Sequence, residues 1–210
     1  MWLLPAWWAR RPWQFARARG GPLPAIALAG TPAVETTRHY AAPAAPEGKC
    51  PQGSNFALAE HGAIATGGIN PAELIDGNCT VYGHGTGFAS TTWNVQPPQF
   101  FTVTLKDLVT VDCVRILLWD RDEERYYRYK LEISADGNGV AWLLVADHTA
   151  PTEQCRSWQV VRFKPQPVKR IRLTGTFNSA NSGFHVVELQ ASLGLPAGTP
   201  PPKPPEVLEF

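Results

Sequence analysis

The chain has 210 residues, a mass of 23.0 kDa and a formal net charge of +1, with 19 Lys and Arg residues against 18 Asp and Glu residues. The 44% of hydrophobic and 18% of charged residues are typical of a globular domain with tails, and they exclude disorder throughout the chain. The balanced charge argues against a dedicated nucleic-acid-binding protein, and no stretch reaches the ~18 consecutive apolar residues of a membrane-spanning helix.

Proline divides the chain into a body and two arms. Only six of the 20 prolines lie between residues 55 and 194, and proline is excluded from sheet interiors because it lacks a backbone donor. We therefore predict an Arg-, Trp- and Pro-rich arm at residues 1–54, a folded body at residues 55–194 and a proline-rich tail at residues 195–210. Their formal net charges are +4, −2 and −1.

The N-terminal arm combines tryptophan with arginine and has no acidic residue before Glu35. Arginine-rich, acid-poor composition is typical of an organellar transit peptide, which would make the protein intracellular, with the mitochondrion favoured over the cytosol. Two alternatives stay open: a docking arm that contacts a membrane surface or a partner, and an unstructured leader. The tail, with its run of prolines at residues 200–205, favours a polyproline II spacer. The aromatic and basic residues of the arm are Trp2, Trp7, Trp8, Trp13, Arg10, Arg11, Arg17 and Arg19.

Strand patterns dominate the body. Before residue 100 the sequence indicates long loops and one helical turn near Pro71. Alternating or β-branched runs then predict strands, and the DGNG sequence at residues 136–139 predicts a turn. We expect Trp119, Trp142 and Trp158 to be large core residues. The predicted strands cover residues 101–105, 113–119, 127–133, 141–146, 157–163, 168–174 and 184–193. Seven or eight short strands without a sustained helical period predict an all-β fold, an antiparallel β-sandwich.

The body contains a series of short motifs in a characteristic order. They are NFA at 55–57, LIDGN at 74–78, LLWDRD at 117–122, YKLEIS at 129–134, VADH at 145–148, CRSWQ at 155–159, IRLTGT at 171–176 and FHVVE at 184–188. Together they resemble a known family, the discoidin or coagulation-factor V/VIII type C domains, over about residues 55–193. That resemblance implies a jelly-roll-like, galactose-binding-like β-sandwich. It is closest to the discoidin-type domains of intracellular BTB/POZ adaptor proteins, although no BTB or BACK region is evident here.

Secreted members of the resembled family usually tie the two ends of the domain with a disulfide, and none of the four cysteines of this chain lies near the C-terminal end of the body. Cys155 is the last cysteine, and Cys113 lies in an apolar run. We therefore expect reduced cysteines in a reducing compartment, with the state of Cys50 open.

A cation loop is one interpretation of residues 76–80. Asp76, Asn78 and Thr80 supply oxygen atoms around a glycine, as a hard cation such as Ca²⁺ requires. The resemblance implies that, in the sugar-binding relatives, such a loop and a carboxylate on the last strand hold a structural calcium ion. It also implies that Glu188 occupies the position of that carboxylate. The alternative is an Asx turn without metal. We otherwise expect no cofactor.

A second candidate site is the charged loop that follows the LLW sequence. Charges beside tyrosine form paired hydrogen bonds and a stacking face, although a solvated turn with self-paired charges explains the same pattern. Residues of other predicted loops are expected to converge on it. The candidate ligand-binding residues are Tyr82, His84, Trp93, Asp120, Arg121, Asp122, Arg125, Tyr126, Asn178 and Asn181.

Catalytic signatures are missing from the sequence. It has no Gly-x-Ser-x-Gly elbow, no His-Glu-x-x-His and no Cys-x-x-Cys, and the glycine-rich segment 83–87 does not open a predicted helix, so it does not indicate nucleotide binding. We therefore predict a non-catalytic scaffold or accessory subunit whose partners are protein subunits of a larger assembly. The alternatives are a carbohydrate-binding module that uses the end loops, and peripheral membrane contact through the N-terminal arm.

Overall fold

The computed structural model describes residues 55–122 and 124–194, together with the backbone of residues 39 and 40. Two short 3-10 helices, Ala59–His61 and Pro71–Ile75, accompany the strands, and the second is the predicted helical turn. The strands are β1 (His39–Tyr40), β2 (Ile64–Thr66), β3 (Ala89–Thr92), β4 (Phe101–Leu118), β5 (Tyr127–Ser134), β6 (Leu143–His148), β7 (Trp158–Asn178) and β8 (Gly183–Ser192).

The strands pair antiparallel in the order β3-β8-β4-β7-β5-β6, with β2 added to β4 and β1 added to β7. This network forms the predicted jelly-roll-like β-sandwich. β1 lies within the predicted N-terminal arm, so two residues of that arm extend the sheet. The other predicted features of residues 1–54 and 195–210 lie outside the described residues.

β4 and β7 are longer than the sequence patterns predict, with 18 and 21 residues. Each joins two predicted strands into one. Their mutual pairing is interrupted between Thr104 and Val109 and again between Val111 and Cys113. The exposed polar residues at these irregularities broke the alternation of the sequence and made one strand look like two.

The core is built from alternating strand residues. Tyr127, Tyr129, Leu131 and Ile133 of β5 are buried, as their period of two predicts, while the intervening residues are partly exposed. Trp119 and Trp158 are buried as expected. Trp142 is not a core residue.

Trp142 is half-buried instead, and it forms a surface platform for two arginines. The guanidinium groups of Arg172 and Arg170 lie 4.3 and 5.7 Å from its ring centre. A preceding turn holds the ring there, because the indole Nε1 donates to the carbonyl of Gly139 at 2.7 Å.

The expectation of reduced cysteines is wrong for Cys79, which is disulfide-bonded. Cys113 and Cys155 are free and buried, and burial raises the pKa of both thiols. The sequence argument considered only a bond between the two ends of the domain, so it missed a bond at the cation loop. Among the described residues, no helix is long and apolar enough to cross a membrane.

Candidate functional site

Three loops meet at one end of the sandwich. They are the segment before β3, the β4–β5 loop and the β7–β8 turn, and hydrogen bonds join them: the Tyr82 hydroxyl donates to Asp120 Oδ1 at 2.7 Å, and the backbone N–H of Ser179 donates to the Tyr126 carbonyl at 3.0 Å. We call residues 80–88, 119–122, 124–126 and 177–183, with Trp93, the end-loop face.

Arg121 is the exposed centre of the first part of this face. Its guanidinium lies 4.0 Å from the centre of the Tyr82 ring. The same group donates to the backbone carbonyls of Tyr82 and Thr80 at 3.1 and 2.9 Å. Burial and the neighbouring Asp120 carboxylate raise the pKa of Tyr82, so its hydroxyl stays protonated and donates. The Arg121 side chain is therefore held in one position while remaining accessible.

Arg125 organises the second part. It pairs with Asp122 at 2.7 Å and lies 4.4 Å from the ring centre of Trp119. A guanidinium nitrogen of Arg125 and the Tyr127 hydroxyl both lie 3.3 Å from His185 Nδ1. Because a guanidinium only donates, Nδ1 is the acceptor and the ring is neutral.

The protonation state of His185 agrees with this geometry. Burial, with a contribution from the Arg125 charge, lowers the pKa of His185 to about 4. The ring also packs 5.0 Å from that of Phe88. Only the position of the last strand next to the loops reveals the contacts of His185.

An aromatic group forms the third part of the face. The Phe177 ring lies 5.4 Å from Trp93 and 5.6 Å from Tyr126. Arg128 lies 4.4 Å over Phe177, and Arg156 lies 5.6 Å over Tyr126. These side chains are half-buried, so each of them is partly accessible to solvent.

The predicted ligand residues fall into two groups on this face. His84 is exposed, and the centre of its ring lies 5.3 Å from that of the Trp119 ring. It therefore belongs to the first group, whose other members are Tyr82, Asp120, Arg121, Asp122 and Arg125. Trp93, Tyr126, Asn178 and Asn181 surround Phe177 and the β7–β8 turn.

Two of these residues have structural tasks. The Asn178 side chain is buried, and it donates to Asn181 Oδ1 and to the Gly183 carbonyl while accepting from the N–H of Ala180. The indole of Trp93 donates to the Asn181 carbonyl at 2.9 Å. Asn178 therefore shapes the turn from below the surface. Sequence reasoning missed Trp119 and Phe177 as members of the face, and Arg128, Arg156 and His185 as its neighbours, because only the tertiary fold brings them there.

The candidate cation loop lies beside the face. Glu188 is buried and accepts from the N–H of Gly77 at 3.1 Å. Burial, with a contribution from the Asp76 charge, raises the pKa of Glu188 to about 9. Within residues 55–122 and 124–194, Glu188 Oε1 and Thr80 Oγ1 are buried atoms without a hydrogen-bond partner.

The remaining two predicted cation ligands fit the Asx-turn interpretation. Asp76 Oδ1 accepts from the N–H of Asn78 at 2.8 Å. Asn78 Oδ1 accepts from the N–H groups of Thr80 and Val81 at 3.2 and 2.9 Å. The Asn78 amide oxygen is thus already occupied, whereas Glu188 and Thr80 have oxygen atoms that suit a hard cation.

The F5/8 type C domain model matches residues 59–189. BTB/POZ domain-containing protein 9 of Drosophila melanogaster is 38% identical over 118 residues, which cover 56% of this chain and 16% of the fly protein. The human protein of that name is 33% identical over 136 residues, covering 65% of this chain and 21% of its own length. The chain thus spans about a fifth of these relatives.

A solved structure supports the same fold. Chitosan-binding module 1 of a chitosanase/glucanase from Paenibacillus sp. IK-5 superimposes with a TM-score of 0.52 at 22% identity, over 66% of this chain and 98% of the module. Domains of this kind are generally binding modules without catalysis. With a family match over more than half of its length, the chain belongs to the F5/8 type C (discoidin) domain family.

Proposed function

We propose that this protein is a non-catalytic binding module that recognises a protein partner through the end-loop face and acts as a scaffold or accessory subunit of a larger assembly. The observation that carries the proposal is Arg121. It is exposed, stacks 4.0 Å over Tyr82, and has its guanidinium tied to two backbone carbonyls.

The composition of the face supports a protein partner. Trp, Tyr and Arg are the residue types enriched at energetically dominant positions of protein interfaces. Ordering a free arginine on binding costs conformational entropy. The contacts of Arg121 and Arg125 already order these two side chains in the free protein, so binding a partner costs less conformational entropy. The relatives' BTB/POZ domains are a further reason to favour protein over other ligands.

The test is recovery of companion proteins by the tagged full-length chain in its native cell. We expect Arg121→Ala, and independently Tyr126→Ala, to reduce a stoichiometric companion at least tenfold. Arg162→Ala is the matched control, because Arg162 is exposed on β7 away from the loops. Equal recovery by the Arg121→Ala and Arg162→Ala proteins would contradict the proposal, provided that circular dichroism shows both to be folded.

Glycan binding is the second candidate function, and the ring group around Phe177 favours it. Tyr126 and Phe177 present half-exposed rings with arginines alongside, and aromatic faces with a few polar groups hold sugars. The structural neighbour from Paenibacillus is described as chitosan-binding. The Trp93 ring lies 5.4 Å from that of Phe177, and its indole N–H already donates to the Asn181 carbonyl, so Trp93 offers a sugar its ring but not this donor.

A glycan array probed with the full chain separates the two functions. If the protein recognises glycans, we expect a glycan to bind with a Kd that is millimolar or tighter. Tyr126→Ala should abolish this binding, and Arg162→Ala should leave it intact. Absence of any glycan bound at that level would remove this candidate and leave the protein partner.

For the arms, we propose that residues 1–54 address the protein to an intracellular compartment, with the mitochondrion favoured, and that residues 55–194 form the binding domain. The arginine-rich, acid-poor sequence supports this assignment. Imaging of residues 1–54 fused to a fluorescent protein tests it, and diffuse fluorescence would contradict it. Liposome binding lost on deleting residues 1–34 would instead assign the arm to membrane contact.

We also propose a structural calcium ion held with oxygen atoms from Asp76, Thr80 and Glu188, with Asn78 shaping the loop. Glu188 Oε1 and Thr80 Oγ1, which are buried without a hydrogen-bond partner in the described part of the chain, support it. Calcium is expected to raise the Tm of the EDTA-treated protein, and Glu188→Gln is expected to abolish that rise. An unchanged wild-type Tm in millimolar calcium would leave the metal-free Asx turn as the correct interpretation.

A further inference from the structure

A second cluster of metal-ligand side chains lies outside the end-loop face, where β6 ends. His148 is the last residue of β6, and Glu153 and Cys155 follow in the β6–β7 loop. His148 nitrogen, Glu153 oxygen and Cys155 sulfur all lie within 4.8 Å of one another. The closest pair is His148 Nδ1 and Glu153 Oε2, at 3.1 Å.

A fourth group points to the same place. Tyr129 of β5 stands opposite His148 in the β5–β6 pair, and the two rings lie 4.9 Å apart. Tyr129 is completely buried, yet its hydroxyl has no hydrogen-bond partner in the described part of the chain. Burial raises the pKa of Tyr129, and the nearby Cys155 and Glu153 groups raise it further. A buried hydroxyl without a partner is costly unless something else occupies the space beside it.

The backbone around the cluster is fixed. Cys155 and Tyr127 exchange two backbone hydrogen bonds, of 2.9 and 3.1 Å. Arg128 donates to the carbonyls of Pro151 and Glu153 at 2.6 and 3.2 Å. These bonds hold the loop against β5, so the ligand atoms need only short side-chain movements to close around an ion.

We propose that His148, Glu153 and Cys155 bind a single Zn²⁺ ion, with the Tyr129 hydroxyl or a water molecule as the fourth neighbour. Zinc takes sulfur, imidazole nitrogen and carboxylate oxygen together in tetrahedral sites. On binding, the Cys155 S–H bond breaks, its proton leaves to solvent, and a Zn–S bond forms. The thiolate and the carboxylate then balance the two positive charges of the ion, so the centre is neutral and suits a largely buried position.

The role of this site is structural. Three protein ligands and a buried fourth neighbour leave little space for substrate, as in closed zinc sites. The ion would join the β6–β7 loop to the end of β6 through side chains that are separate from the end-loop face. Glu153, whose side chain is 34% exposed, provides the route by which the ion enters.

The test uses the tag-free, full-length protein, stripped of metal and titrated with Co²⁺ and then with Zn²⁺. We expect one equivalent of Co²⁺ to give the thiolate-to-cobalt band and the intense visible bands of a tetrahedral site, and Zn²⁺ to displace it. Cys155→Ser should lose the thiolate band. Cys113→Ser is the matched control, because Cys113 is the other described free, buried cysteine, and it should retain the band.

Two further measurements keep the outcome clear if Cys155→Ser folds poorly. Glu153→Gln changes a partly exposed residue and should weaken Zn²⁺ binding at least tenfold. X-ray absorption of the wild-type zinc form should show a sulfur neighbour at about 2.3 Å. Octahedral Co²⁺ spectra without a thiolate band, a zinc ion without sulfur, or loss of the band in Cys113→Ser would each overturn the site.

Discussion

At the scale of single residues, His185 shows how a buried contact sets a protonation state. Its pKa is lowered to about 4 by burial and by Arg125, while a histidine in an unfolded chain has a pKa near ~6.5. The unfolded chain therefore takes up this proton first as the pH falls. The stability associated with neutral His185 is complete above pH ~6.5 and is lost as the pH falls towards 4.

We predict that His185→Gln reduces this acid sensitivity. The free energy of unfolding of the wild type should fall between pH 7 and pH 4, and the variant should show a shallower fall, because glutamine takes up no proton. Urea titrations across that pH range measure the effect. Equal slopes in the wild type and the variant would contradict the assignment.

Arg125 is the second residue whose exact chemistry matters. Lysine keeps the charge but loses the planar group that stacks 4.4 Å from Trp119 while pairing with Asp122. We predict that Arg125→Lys destabilises the domain by about 1–2 kcal/mol in urea unfolding. Arg162→Lys, at an exposed position on β7, should change stability by less than ~0.5 kcal/mol. A comparable effect at both sites would mean that Arg125 contributes only its charge.

At the scale of strands, Gly175 is required by the close approach of β7 to β8. A Cβ atom at this position would overlap the ring of Phe184, which is completely buried. We predict that Gly175→Ala lowers the free energy of unfolding by about 3 kcal/mol, the upper part of the range for overpacked cores. Gly137→Ala is the matched control, because nothing lies within 4 Å of a Cβ atom there. Thermal unfolding of both variants measures the difference.

Strand patterns explain which elements could be predicted from the sequence. β5 was predicted correctly because Tyr127 to Ile133 alternate between the core and a partly exposed side. β4 and β7 were each predicted as two strands, since the irregular pairing between Thr104 and Val109 interrupts the alternation without ending the strand. Trp142 was assigned to the core by its size, but hydrophobic content alone does not distinguish a buried ring from one covered by arginines.

At the scale of the whole molecule, the candidate site was only partly predictable. The charged loop, Tyr82 and His84 could be identified from residue type and loop position. The contributions of Phe177, Arg128 and Arg156 could not, because they lie on β7, on β5 and in the β6–β7 loop, and only the fold brings these three segments together at the end-loop face. Asn178 shows the opposite error: its residue type suits ligand binding, but its amide is used inside the β7–β8 turn.

The disulfide at Cys79 affects the whole molecule, because it bears on both stability and compartment. Cys113 and Cys155 are free, so neither of them is the partner of Cys79. A disulfide stabilises a domain by about 3 kcal/mol through the entropy of the unfolded chain. We predict that non-reducing peptide mapping recovers Cys79 in a disulfide-linked peptide.

Reduction should then lower the Tm by roughly 6–12 °C, since ~1 kcal/mol corresponds to about 2–4 °C in a domain of this size. Cys79→Ser supplies the control, because its Tm should not respond to reductant. Recovery of the linked peptide from protein alkylated inside intact cells would favour an oxidising compartment over the cytosol. A Cys79 thiol that alkylates quantitatively in native, unreduced protein would contradict the bond, and would return the compartment to the reducing one that the sequence predicted.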